Sequence, residues 1–185
     1  MRLLEKLNSE YGTYRGLIRL ILAQAERVTG RLKPYQEVDM RRVERIVFVC
    51  LGNICRSPYA ELIAREIDIP TASFGLSTTT GKPAYLDAIR TAALNNRDLT
   101  GHITTDISDF RIKDSDLLLV MEIRQADRLK QHLKNSKAQI SLLGLWSNPP
   151  RPHIHDPMTL SNSYFLTCYK VIEKSVNNLS KSLKI

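Results

Sequence analysis

The sequence predicts an α/β fold: a single doubly wound four-stranded parallel sheet with helices on both faces, plus a helical N-terminal extension. Three observations carry this prediction. From Ile46 onward, short apolar runs alternate with stretches of helical periodicity, the pattern of parallel strands joined by crossover helices. A loop containing Cys50 and Gly52 joins the first such run to Ser57-Pro58, where proline suits the first turn of a helix. Before Ile46 there is a long helical stripe and no strand-like run.

The extension comes first. Leu4, Leu7, Tyr11, Tyr14, Ile18, Ile21, Ala25, Val28 and Leu32 recur at alternating steps of three and four, which marks one helical face. Gly12 and Gly16 weaken a continuous helix, and Gly30 and Pro34 end it. Residues 35–45 read as a charged linker. The expected division is therefore 1–45, helical extension and linker, and 46–185, a catalytic-looking domain.

Within that domain Ile46 to Val49 is β-branched and apolar, so it predicts a buried first strand. The helix opened by Ser57-Pro58 carries Leu62, Ile63 and Ile67. Thr71 to Leu76 predicts the second strand, Ser77 to Gly81 a polar loop and Tyr85 to Leu94 a helix. Leu117 to Met121 predicts the third strand, Ile123 to Leu133 a helix and Gln139 to Leu143 the fourth strand. Prolines at 149, 150, 152 and 157 make Trp146 to Pro157 a loop. A last helix places Phe165, Tyr169, Ile172, Val176, Leu179 and Leu183 on one face.

Composition narrows the class. The 185 residues are 43% hydrophobic with a net charge of +8. A basic chain suits nucleic acid, an anionic surface or an anionic substrate. No aromatic-basic motif accompanies the charge, so nucleic acid is not expected. Three cysteines are an odd count and give no disulfide framework. Free thiols point to a reducing compartment, and the N-terminus lacks the apolar core of a signal peptide. The run Leu17 to Ala23 is too short to span a bilayer. A cytoplasmic protein is expected, with no cofactor and no metal.

The chemistry centres on Cys50-Leu51-Gly52-Asn53-Ile54-Cys55-Arg56-Ser57. In an open α/β sheet, ligands bind beyond the carboxyl ends of the strands. A loop running from a strand into a helix N-terminus converges several backbone N–H groups on one point, adds the helix dipole and suits a phosphate. Leu51 to Ser57 are the expected phosphate-binding residues. Cys50 ends the strand at the floor of that cradle, where the same field favours sulfur as nucleophile. Arg56 offers a planar fork for two phosphate oxygens. Ser57 can donate a hydrogen bond to the sulfur. Cys168, beside the stripe of the last helix, reads as a core residue.

The run VCLGNICRSPYAE resembles the signature of low-molecular-weight protein tyrosine phosphatases. The resemblance extends from about Ile46 to the C-terminus through Gly81-Lys82-Pro83, Gly101-His102, Val120-Met121-Glu122, Leu142-Leu143-Gly144 and Asp156-Pro157. It implies a phosphotyrosine protein phosphatase with a phosphocysteine intermediate on Cys50, Arg56 as clamp and Asp156 as general acid and base. It implies a supporting shell in which Asn53 bonds Ser73 and His102 pairs with Glu61. It also implies that Cys55 traps oxidised Cys50 as a disulfide. A phosphotyrosine protein, such as a bacterial tyrosine kinase, is the expected substrate. His153 and His155, flanking the acid, read as loop surface.

Departures bear on specificity. Met158 and Thr159 stand where the family places an aromatic wall, and Thr104, Thr105 and Asp106 replace its usual polar residues after Gly-His. The alternatives are a phosphoarginine phosphatase or an arsenate reductase of the same fold, or a non-catalytic phosphate-binding adaptor. Ile54 argues against the first, because those relatives carry Thr there. The position of Cys168 argues against the second, and the presence of Cys50, Arg56 and Asp156 against the third. Residues 1–32 are expected to dock on the domain or on a second copy, with a membrane surface reached through Arg15, Arg19, Arg27 and Arg31 as the alternative. Because no catalytic residue lies in 1–40, the chemistry is expected to be independent of them.

Overall fold

A computed structural model describes residues 2–134 and 136–183. Met1, Asn135 and the last two residues of the expected 46–185 domain lie outside them. Four parallel strands form one sheet: β1 Arg45–Cys50, β2 Thr71–Gly75, β3 Asp116–Val120 and β4 Gln139–Leu142, in the order β2-β1-β3-β4. Among the described residues six α-helices accompany them: α1 Arg2–Tyr11, α2 Tyr14–Val28, α3 Arg56–Glu66, α4 Leu86–Leu94, α5 Ile123–His132 and α6 Asn162–Ser180. The predicted strands and helices of 46–183 are present, with ends moved by a residue or a few.

The sheet is buried on both faces, which is why its strands read as continuous apolar runs. Alternate residues enter opposite layers. Ile46, Phe48, Leu117 and Leu119 pack beneath α3, α4 and α6. Val47, Val49, Leu118, Val120 and Leu142 pack on the other face with Ala126 and Leu129 of α5. Tyr59 of α3 and Tyr169 of α6 stack with ring centroids 3.6 Å apart, and the Tyr169 hydroxyl donates toward the Cys55 and Ala88 carbonyls, both at 3.2 Å. The α6 helix is thus bonded directly to the loop that follows β1. Chain order reverses between β1 and β3, so their carboxyl ends open onto the crevice where such sheets bind ligands.

Residues 35–45 are not a free linker. Leu32 and Tyr35 join the core beneath α5, Ser141 donates to the Tyr35 carbonyl at 2.6 Å, and Asp39 and Gln139 exchange two hydrogen bonds. The segment closes the far side of β4 as two short 3₁₀ turns, Lys33–Tyr35 and Met40–Arg42.

The extension breaks where its glycines stand. Gly12 has φ +79, a left-handed value glycine accepts readily, and Thr13 then caps α2 by accepting from the Gly16 amide at 3.1 Å. α1 packs on α6. α2 docks on the domain through the face opposite its apolar stripe. Its apolar stripe faces outward: Tyr14 is 60% exposed, Ile18 51%, Ile21 57% and Val28 78%. The inner face carries the buried Gly16 and Ala23, with Leu17, Leu20 and Gln24 half-buried. Small residues let the helix axis approach the domain closely; a Cβ at Gly16 would fall 2.9 Å from the His155 ring.

Candidate active site

β1 delivers Cys50 to the floor of a cleft of about 260 Å³ lined also by Cys55, Arg56, Thr78, Asp156 and Met158. The Cys50 sulfur receives the Asn53 amide at 3.2 Å and lies 3.0 Å from the Ser57 hydroxyl. Ser57 Oγ also accepts from Asn53 Nδ2 at 2.9 Å. Its own proton is therefore free to point at the sulfur.

Asn53 is the keystone of the loop. It is fully buried with φ +53, a conformation asparagine tolerates better than most side chains. Nδ2 donates a second bond to Ser73 at 2.8 Å, and Oδ1 accepts the Thr105 amide at 2.9 Å. Nε2 of His102 lies 2.8 Å from the Asn53 carbonyl. A carbonyl only accepts, so this nitrogen is the protonated one. Burial holds the His102 pKa below its usual value, against the pull of Asn53 and Glu61, so the ring is neutral. The resemblance implied a His102–Glu61 pair; the geometry corrects that. Among the described residues Glu61 makes no hydrogen bond to His102; its carboxylate is taken by Arg65 one turn along α3, an i,i+4 neighbour on the same helix face.

Arg56 opens α3 and is 1% exposed. Its Nη1 donates to Glu122 Oε1 at 2.7 Å and to the Ile154 carbonyl at 2.9 Å; Nη2 donates to Asp156 Oδ2 at 2.7 Å. Its Nε is buried without a partner among the described residues. Burial alone would lower the Arg56 pKa, but Asp156 and Glu122 outweigh it and raise it. Burial would likewise raise Glu122, and Arg56 outweighs that, holding the carboxyl below the usual range. Cys55 is buried, and burial pushes its thiol up strongly, so it is a neutral thiol. Cys168 is buried too and pushed up to about 12 by burial.

The sequence model of the low molecular weight phosphotyrosine protein phosphatases matches residues 45–185. The chain belongs to this family. It is 34% identical over 140 residues to the low molecular weight protein-tyrosine-phosphatase Wzb of Escherichia coli strain K12, covering 75% of this chain and 94% of that one. The structure superposes on the Erwinia amylovora tyrosine phosphatase AmsI with a TM-score of 0.67 at 30% identity, covering 77% of this chain and 95% of that one. Vibrio vulnificus Wzb in complex with benzylphosphonate gives 0.66 at 28% identity, covering 76% and 99%.

Sequence reasoning missed several groups in this phosphatase. In the sequence Glu122 stands only as part of a matched strand end, yet it is the second carboxylate on Arg56; its signal is an acid two positions past the buried strand β3. Thr104, Thr105 and Asp106, read only as departures, brace the cleft rim. The Thr104 hydroxyl donates to the Thr79 carbonyl at 2.7 Å, and Asp106 accepts the Thr78 amide at 3.2 Å. His153 is buried and His155 half-buried, not loop surface. Burial pushes the His153 pKa down to about 4, against the pull of Glu122, and lowers His155 in the same way.

Proposed function

We propose that this phosphatase hydrolyses phosphotyrosine in proteins in two steps. The Cys50 sulfur attacks phosphorus, the bond from phosphorus to the phenolic oxygen breaks, and Asp156 gives its proton to that oxygen. Water then attacks the phosphocysteine, Asp156 takes its proton, the sulfur–phosphorus bond breaks and inorganic phosphate leaves. Arg56, through Nε and Nη2, and the amides of Leu51 to Ser57 hold the equatorial oxygens as charge redistributes. Ser57 supports the sulfur as nucleophile and as leaving group. The reading is carried by one observation: Cys50, Arg56 and Asp156 line the same cleft, with Arg56 and Asp156 joined at 2.7 Å. The incoming phosphate takes Arg56 from Asp156, which frees the carboxyl to act on the leaving oxygen.

Met158, 42% exposed beside the acid, forms the outer wall against the substrate ring. Ile54 lines the same cleft and favours an aryl ester over the longer, charged side chain of phosphoarginine. Cys168 is fully enclosed, which disfavours an arsenate reductase relay. The substrate is a tyrosine-phosphorylated protein, a bacterial tyrosine kinase being the favoured class, and the compartment is the cytoplasm. Three free cysteines support that compartment. Among the described residues no helix is long and apolar enough to cross a membrane. The outward face of α2, with Tyr14, Ile18, Ile21, Ala25 and Val28 at heptad spacing, supports self-association. The functional test is a turnover panel. A phosphotyrosine peptide should be hydrolysed at least a hundredfold more efficiently than phosphoarginine, with no arsenate reduction; the reverse order would replace the reading.

A further inference from the structure

The acid loop is gripped from outside the family domain. Gln24 Nε2 donates to the Pro150 carbonyl at 2.6 Å. Arg151 donates to the Glu10 carbonyl, and its guanidinium lies 5.2 Å from the centre of the Tyr11 ring. Thr13 Oγ1 lies 3.3 Å from His155 Nε2. Gly12 and Gly16 pack so tightly that a Cβ on either would stand 2.9 Å from the same imidazole. His155 immediately precedes Asp156. A further contact reaches the other side of the site: Arg19 Nη1 lies 4.0 Å from Glu122 Oε2, and Glu122 holds Arg56.

We propose that α1 and α2 are a positioning clasp for the acid loop, with Thr13, Gln24 and Arg19 as positioning residues for Asp156 and Arg56. The family match begins at residue 45, so the clasp is this chain's addition to the fold. Two features show how closely the clasp covers the loop. His155 Nδ1 and His153 Nε2 are buried with no partner among the described residues, a cost that an exposed loop would not carry. A side chain at Gly12 would meet Leu160, His155 and Tyr164, and one at Gly16 would meet the Tyr11 carbonyl and then His155, so neither position has room for one. A misplacement of about 1 Å far from the chemistry can cost a hundredfold in rate, so holding residues 150–155 sets how well Asp156 meets the leaving oxygen. On this proposal the chemistry depends on residues within 1–40, against the expectation from the sequence.

The proposal rests on Asp156 as general acid, and the test separates the two. In the full-length enzyme, Thr13→Val with Gln24→Ala is compared with Asp156→Asn and wild type on aryl phosphates of increasing leaving-group pKa. The clasp variant should lose about tenfold in kcat/KM for phenyl phosphate and less than twofold for dinitrophenyl phosphate, whose phenolate leaves without a proton. Competitive inhibition by inorganic phosphate should be unchanged, because the loop after β1 is untouched. Thr13→Ser, which keeps the hydroxyl, should behave as wild type. Arg19→Gln should weaken inhibition by phosphate a few-fold, and Arg19→Lys should restore it. If Asp156→Asn steepens the leaving-group dependence and the clasp variant does not, the clasp is overturned. If Asp156→Asn is itself flat, the assignment of the acid fails first. An equal loss on every aryl phosphate together with a lowered melting temperature would reduce the clasp to a fold support and overturn its positioning role.

Discussion

Replacing Asn53 by alanine should cost the protein its phosphate loop before it costs the fold. Three hydrogen bonds leave with the side chain: two donated, to Ser57 and Ser73, and one accepted from the Thr105 amide. At about 1 kcal/mol net for each buried bond, this is roughly 3 kcal/mol. Alanine adds about 1 kcal/mol at φ +53, because it lacks the short polar side chain that lets asparagine settle in the left-handed region. The total, roughly 4 kcal/mol, is a large part of the 5–15 kcal/mol typical of a domain. Asn53→Gly loses the same bonds without that addition. It should fall about 1 kcal/mol short of the alanine variant's loss, less the added freedom of glycine in the unfolded chain. Urea unfolding of the two variants at neutral pH gives both numbers. Phosphate inhibition and turnover of p-nitrophenyl phosphate report the loop itself, and both should weaken at least tenfold. If Asn53→Ala unfolds within 1 kcal/mol of wild type and inhibition by phosphate is unchanged, Asn53 does not organise the loop.

Stability should also depend on pH through His153. Its native pKa of about 4 lies below the value of about 6.5 in an unfolded chain. Below pH 6.5 the unfolded state binds a proton that the native state refuses, so stability falls as pH drops from 6.5 and levels near 4, by roughly 3 kcal/mol in all. The urea midpoint against pH should show this slope, and His153→Gln should flatten it; an unchanged slope would reject the assignment. Peroxide should convert Cys50 to a sulfenic acid, and the Cys55 thiol should displace its oxygen as water to give a disulfide. Wild type should then recover with dithiothreitol while Cys55→Ser does not, and equal recovery would remove Cys55 from that role. For the outward face of α2, Ile18→Glu with Ile21→Lys should lower the mass measured by light scattering without changing turnover. A wild-type mass equal to one chain at high concentration would rule out self-association.

The α/β fold was legible because its strands are buried on both sides. Ile46 to Val49 and Leu117 to Met121 are apolar without interruption, and no helix with a wet face reads that way. The loop from Cys50 to Ser57 was legible because a strand, a glycine and a Ser-Pro helix start are local signals. What escaped was set by tertiary contact. A stripe of large apolar residues normally marks the buried side of a helix, yet α2 docks through Gly16 and Ala23, whose value lies in the room they leave. Glu122 reaches Arg56 across 66 positions of sequence, and nothing near it in the chain announces that pairing. His153 and His155 sit in a proline-rich segment that reads as surface, until α1 and α2 cover it. Glu61 bonds Arg65, one turn away on the same helix, and acts on His102 only as a nearby charge.

Acid quenching during turnover of p-nitrophenyl phosphate, followed by peptide mass analysis, tests the central claim most directly. One phosphoryl group should appear on the peptide containing Cys50. It should accumulate in Asp156→Ala, where hydrolysis of the intermediate lacks its base, and be absent in an inactive Cys50→Ser. Turnover by Cys50→Ser, or phosphate release with the Cys50 peptide never labelled, would contradict a phosphocysteine mechanism at this site.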